Sequence, residues 1–184
     1  PLAAVDLQWQ NVERAGTEGE KAEAFARLKG GILRANRLVQ QLLTMARLEP
    51  GAAPYRPTRI DLASLLRSIV AEWSPSAEEK RIDLGLAQAD AAEVEGDAEY
   101  LRVLVGNLVD NSVKYTQEGG RIDVSLHADG TDLRIVVEDD GPGIPEQDRV
   151  RVFERFHRAS GANVPGSGLG LSIVKTIADR FGAT

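Results

Sequence analysis

Two kinds of hydrophobic spacing divide the chain. Leu2, Val5, Trp9 and Val12 step by three and four residues, and Phe25, Leu28, Ile32, Ala35, Val39, Leu42 and Ala46 repeat that step as a heptad seam. Gly16-Thr17-Glu18-Gly19 interrupts the two stretches, so residues 1–49 are predicted to form an antiparallel helical hairpin. Two such helices bury little by themselves, and pairing with a second hairpin in a dimeric four-helix bundle is the arrangement the pattern favours. The alternative is a hairpin packed on its own globular domain. Glu49-Pro50-Gly51-Ala52-Ala53-Pro54-Tyr55-Arg56-Pro57 then breaks any helix and reads as a linker over 50–57.

From Thr58 onward the spacing alternates between strand and helix periods. A strand near Arg59, a helix over Leu62–Trp73 and a strand over Arg81–Leu86 come first. Tyr100–Tyr115 carries Leu101, Leu104, Val105, Leu108 and Ser112/Val113 as a helical stripe, with Asp97 placed to cap it. Ile122, Val124 and Leu126 alternate with polar residues, Asp129-Gly130 makes a turn, and Leu133–Val137 returns as a second strand. Ile173, Val174, Ile177 and Ala178 predict a last helix over Ser172–Phe181.

Candidate chemistry lies where these elements end. At about 100° per residue, Asn107, Asn111 and Lys114 share one line beside the packing stripe of the Tyr100–Tyr115 helix. Amide oxygens suit a hard cation such as Mg²⁺, and a lysine can neutralise phosphate; the plainer reading is a solvated polar flank. The second strand ends in Glu138-Asp139-Asp140-Gly141-Pro142-Gly143-Ile144-Pro145. A carboxylate there, next to glycines that admit close backbone approach, suits an amine-bearing ring such as adenine; alternatively it is an acidic turn. Gly166-Ser167-Gly168-Leu169-Gly170-Leu171 opens the last helix and can offer backbone N–H groups to an anion. It is neither a dinucleotide fingerprint nor a P-loop, because no strand leads into it and Gly-Lys-Ser/Thr is absent.

Together these segments resemble the catalytic domain of the sensor histidine kinases of two-component systems, with its GHKL-type ATP site. Asn107-Leu108-Val109-Asp110-Asn111-Ser112-Val113-Lys114-Tyr115 resembles the N box, Asp139-Asp140-Gly141-Pro142-Gly143-Ile144 the G1 box, Phe153-Glu154-Arg155-Phe156-His157-Arg158 the F box, and Gly166–Leu171 the G2 box. The resemblance implies an α+β fold: a dimerisation hairpin over 1–49, then a two-layer α/β sandwich over 58–184 with helices on one face of a mixed sheet. It implies ATP and Mg²⁺ as ligands. Asn111 would coordinate the metal with Asn107 in support, Lys114 would meet phosphate, and Tyr115 would lie against the nucleotide. Asp139 would accept from the adenine amino group, with Gly141 and Gly143 allowing close approach. Ile144 to Gly166 would form a lid carrying His157, with Arg158 reaching the γ-phosphate. Gly166, Ser167, Gly168, Leu169, Gly170 and Leu171 would hinge the lid and present amides. Gyrase- and MutL-like ATPases of this fold carry a glutamate where Asn107 stands; an amide is a poor general base, which favours transfer over hydrolysis.

The resemblance further implies a phosphoacceptor histidine in a motif like His-Glu-Leu-Arg-Thr-Pro-Leu, relay to the aspartate of a response-regulator receiver domain, and upstream membrane and sensing segments. Pro1-Leu2 matches that motif from its proline, so autophosphorylation at the usual place is not expected from these residues, nor is phosphatase activity that needs the motif. Two strands that usually follow the last helix are likewise not expected within Thr184. Of the two histidines, His127 reads as an exposed sheet residue and His157 as a lid contact. Trp73, Phe153 and Phe156 read as packing residues, and Glu78-Glu79-Lys80-Arg81 as a solvated face.

Composition narrows the class without changing it. The chain has 22 basic and 28 acidic residues, net −6, which argues against general nucleic-acid binding. It has no cysteine, so no disulfide framework or thiolate metal site. No run reaches the roughly 18 apolar residues of a membrane span, and no signal peptide is evident. A cytoplasmic location is expected, with membrane attachment only through upstream segments.

Overall fold

The computed structural model describes residues 2–48, 57–130, 132–158 and 166–184; within the first two helices the side chains of residues 2–5, 33, 34, 36–38, 40–42, 45, 47 and 48 are excluded. The linker residues 49–56 and lid residues 159–165 therefore lie outside the described residues. Two compact units divide the chain, Pro1–Glu49 and Pro50–Thr184.

The first unit is a hairpin of α1 (Leu2–Arg14) and α2 (Glu18–Leu48). Its turn is shorter than the sequence suggests, because α2 starts at Glu18 and absorbs Gly19. The reason is a capping box. Thr17 Oγ1 accepts from the Glu20 N–H at 3.2 Å, while Glu20 Oε2 accepts from the N–H groups of Gly16 and Thr17 at 2.9 and 3.0 Å. Those N–H groups hold the Glu20 carboxyl below its ordinary range. Val12, Ala24 and Leu28 form a small buried cluster near the turn. Phe25, Ile32 and Val39 stay exposed at 52, 44 and 52%.

The second unit places α3 (Leu62–Glu78) and α4 (Ala98–Tyr115) over a mixed sheet of β2 (Asp83–Ala89), β4 (Arg121–Asp129) and β5 (Asp132–Asp139). β4 lies in the middle, parallel to β2 and antiparallel to β5. Ile122, Val124 and Leu126 are fully buried, with Leu86 opposite Val124 on one side and Val137 and Ile135 opposite Val124 and Leu126 on the other. They meet Leu66 and Ile69 of α3 and Val105, Val109 and Val113 of α4 in one continuous core. A separate antiparallel pair joins β1 (Thr58–Asp61) to β3 (Glu93–Gly96); the sequence reading missed β3, whose four residues carry too few alternations to register. α5 (Gly170–Phe181) packs along α4 through the buried Ile173 and Ile177.

Four sequence expectations change. α3 runs past Trp73 to Glu78 with Pro75 inside it; in the last turn the missing proline N–H costs one bond, while buried Ala77 anchors the extension. Lys80 is not on a solvated face: its Nζ donates to the Val113 and Lys114 carbonyls at 2.7 and 2.9 Å, capping the C-terminus of α4. His127 is half-buried rather than exposed, its Nε2 3.0 Å from Ser125 Oγ. Trp73 packs against the core, whereas Phe153 and Phe156 are 42 and 69% exposed.

Candidate nucleotide site

The site is assembled from the flank of α4, the end of β5 and the start of α5. Asp97 begins α4 by accepting from the N–H groups of Glu99 and Tyr100 at 2.9 and 3.3 Å. The helix buries Val105, Val109 and Val113 and turns its other edge toward α5. Asn107 Nδ2 donates to the Val103 carbonyl at 2.7 Å. Its Oδ1 lies 3.2 Å from where a Cβ on Gly170 would sit, with Asn111 Oδ1 3.6 Å from the same point. The Asn107 amide oxygen and the Asn111 amide, whose Nδ2 is 3.7 Å away, thus converge on the first residue of α5, where backbone N–H groups have no intrahelical acceptor. Glycine keeps that approach open.

Lys114, one turn below Asp110, forms an ion pair with it; the Asp110 carboxylate is buried. The sequence reading passed over Asp110. Removing Lys114 would leave a buried carboxylate without this cation, a costly state. Tyr115 is 38% exposed at the end of the helix.

The two adjacent carboxylates at the end of β5 have different partners. Asp140 Oδ1 accepts from the Arg121 N–H at 3.0 Å and closes the β4–β5 ladder. Asp139 instead faces α4: Ser112 Oγ donates to its Oδ2 at 2.8 Å, and the Gly141 N–H donates to its Oδ1 at 3.1 Å. A Cβ on Gly141 would stand 2.8 Å from Asp139 Oδ1 and 3.3 Å from the Tyr115 carbonyl oxygen. A side chain here would crowd the Asp139 carboxylate and the end of α4, so glycine suits this turn. Gly143 adopts φ +70 with open space around it, and the Ile144 carbonyl accepts from Arg149 Nε at 3.2 Å.

The F-box and G2-box segments touch through their backbones. The Phe156 N–H donates to the Gly168 carbonyl at 2.9 Å, and a Cβ on Gly168 would meet the Phe156 and His157 backbones at 2.7 Å. Gly168 and Phe156 both have left-handed backbone, φ +69 and +63. His157 is half-buried with its Nε2 3.3 Å from Asp148 Oδ1, an approach that lacks hydrogen-bond geometry. Arg158 is exposed. Ser167 Oγ accepts from the Leu169 N–H at 3.3 Å; Leu169 is buried and Leu171 half-buried in the first turn of α5, while Gly166 is exposed.

The described residues therefore bring Asn107, Asn111 and Gly170 together, join Asp139 and Gly141 to the last turns of α4, and set His157 against Gly168. Gly143, Ile144, Arg158 and Gly166 lie on the loops that flank these contacts.

This arrangement defines an ATP-binding domain of the gyrase and histidine-kinase type. The family described as Histidine kinase-, DNA gyrase B-, and HSP90-like ATPase matches residues 96–184. Sensor protein QseC of Salmonella typhi is 39% identical over 187 residues, covering 100% of this chain and 40% of that protein. The solved structure of the mycobacterial sensor histidine kinase MprB is 33% identical, with TM-score 0.60, covering 69% of this chain and 81% of that one. A structure of full-length ShkA in complex with AMPPNP is 30% identical, with TM-score 0.71, covering 97% of this chain and 38% of that one. The chain belongs to the sensor histidine kinases and comprises their catalytic, ATP-binding part. It spans about two fifths of the length of the curated relatives it matches. Among the described residues, no helix is long and apolar enough to cross a membrane.

Proposed function

We propose that this chain binds ATP·Mg²⁺ between α4, the end of β5 and the start of α5, and donates the γ-phosphate to a histidine on a dimeric helical bundle. An aspartate on a response-regulator receiver domain then takes the phosphoryl group. The observation that carries this reading is the convergence of Asn107 Oδ1 and Asn111 Oδ1 on Gly170 at the N-terminus of α5.

Two neutral oxygens fit a hard cation, but they are too few to hold one alone. Among the described residues there is also no cluster of three or more His, Cys, Asp or Glu side chains able to hold a metal. A Mg²⁺ with Asn111 and Asn107 as protein ligands would take its remaining oxygens from nucleotide phosphates and water. When bound, the ion neutralises charge on the transferring phosphoryl group. The protein's part is positioning. Asp139 orients the adenine through its amino group, Gly141 and Gly143 let the ring come close, and Tyr115 covers it. Gly166 to Leu171 present amides to the phosphates, Lys114, paired with Asp110 in this structure, would meet phosphate at the end of α4, and Arg158 reaches the γ-phosphate from the lid. Asn107 carries an amide, a poor general base toward water. That supports transfer over hydrolysis. The AMPPNP bound to the related ShkA supports the choice of nucleotide.

Neither described histidine suits the acceptor role: His127 pairs with Ser125 in the sheet, and His157 is half-buried against the buried Asp148. The exposed heptad residues Phe25, Ile32 and Val39 support homodimerisation through residues 1–49. We place the module on the cytoplasmic side of a membrane sensor.

Calorimetric titration with a non-hydrolysable ATP analogue tests the site. Binding is expected to require Mg²⁺ and to weaken by at least about tenfold in Asn111→Ala, the loss of one metal-directed contact being on the order of 1.5–3 kcal/mol. Binding indifferent to Mg²⁺, or unchanged in that variant, overturns the assignment.

A further inference from the structure

We infer that Ser112 is a positioning residue for base recognition, whose hydroxyl locks the Asp139 carboxylate into the orientation that reads the nucleotide's amino group. The inference rests on the proposed ATP site and adds to it a residue and a source of selectivity.

Three observations point to it. First, Ser112 is 5% exposed and occupies the packing stripe of α4, a position that periodicity assigns to an apolar residue. A hydroxyl buried there is costly unless it is hydrogen-bonded. Second, the bond it makes spans elements, where other helical hydroxyls bond locally; Ser64 Oγ, for example, donates to the cap of its own helix, Asp61 Oδ2, at 2.7 Å. Ser68, Ser74, Ser172 and Thr176 all turn back on carbonyls three or four residues before them, at 2.7–2.9 Å. That local bond is the ordinary choice for serine and threonine inside a helix. Ser112 reaches out of its helix to Asp139 Oδ2 at 2.8 Å, across 27 positions of sequence.

Third, the carboxylate is gripped from both sides. The Gly141 N–H holds Oδ1 at 3.1 Å while Ser112 holds Oδ2. The two donors fix both torsions of a side chain that stands at an exposed strand end and would otherwise sample several rotamers. Each carboxylate oxygen has a second acceptor site, so the grip leaves capacity for an exocyclic amine. Ser112 also follows Asn111 directly. One rigid helical turn therefore sets the base-reading carboxylate and the metal-directed amide relative to each other.

A residue that merely packs would affect all nucleotides alike. A residue that aims Asp139 affects only those carrying the amino group. The test compares ATP with purine riboside triphosphate, which lacks the 6-amino group, in competition against a fluorescent ATP analogue on the full chain. In Ser112→Ala, ATP affinity is expected to fall about three- to tenfold, with purine riboside triphosphate changing less than about twofold. Ser112→Cys, of similar volume but a weak donor, should fall between wild type and alanine. In an Asp139→Asn background, Ser112→Ala should cost ATP affinity little more, because the two act as one unit. Equal weakening of both nucleotides, or an alanine variant that discriminates like wild type, overturns the inference while leaving the ATP site standing. A wild-type chain that binds neither nucleotide overturns the site itself.

Discussion

The hairpin and the α/β unit solve the problem of burying apolar surface in opposite ways. In the α/β unit the fully buried side chains Leu66, Ile69, Val105, Val109, Ile122, Val124 and Leu126 come from two helices and a strand, and they close one continuous core. Among the described side chains of the hairpin, Val12, Ala24 and Leu28 form a small buried cluster, while Phe25, Ile32 and Val39 repeat every seven residues on the surface. One unit encloses its buried residues within a single chain. The other displays a seam that calls for a second helix pair, as expected of two helices that cannot enclose a core by themselves.

The contrast can be broken most decisively at the seam. Replacing Ile32 and Val39 together by glutamate should convert a dimer into a monomer in light scattering, with the melting of the α/β unit unchanged. A monomeric wild type, or a variant that still dimerises, would refute the assigned role of the exposed heptad. A smaller but substantial effect is expected in the core. Leu66→Ala should lower the unfolding free energy of the α/β unit by about 2–5 kcal/mol without changing the oligomeric state. A loss below about 1 kcal/mol in a denaturant titration would contradict a core that stands alone.

The smallest effect concerns the hairpin turn. Glu20 is held below the ordinary glutamate range by the N–H groups of Gly16 and Thr17, so its folded pKa is the lower one. Its contribution is therefore fully present above the unfolded glutamate pKa and is lost as pH falls through the folded value. Helicity of the hairpin should fray slightly on acidification, and Glu20→Gln should flatten that response in circular dichroism. An identical acid profile in both forms would remove the capping box from the account.

Much of this was legible beforehand because it is local. The 3.6-residue stripe of α4, its Asp97 cap, the alternation of Ile122, Val124 and Leu126, and the Asp129-Gly130 turn each follow from residues close in sequence. So does the grouping of Asn107, Asn111 and Lys114, which the helical angle alone puts on one line. What stayed hidden depends on distant partners. Lys80 looked like part of a charged surface run until α4 ended beside it and offered two carbonyls. Phe153 and Phe156 looked like packing residues because aromatic character says nothing about which surface arrives to cover it. Ser112 did leave one trace, a hydroxyl in an apolar stripe, but its meaning needed Asp139.

The sequence by itself determined the helices, most of the strands, the seam of the hairpin and the four boxes that identify the family, since periodicity, caps and glycine turns act over a few residues. Only the tertiary structure decided which of the paired carboxylates Asp139 and Asp140 faces α4, that Gly170 brings the start of α5 to both asparagines, and that Ser112 turns outward from its helix. These are contacts across tens of residues, and their geometry is set by how the core packs the helices and strands together.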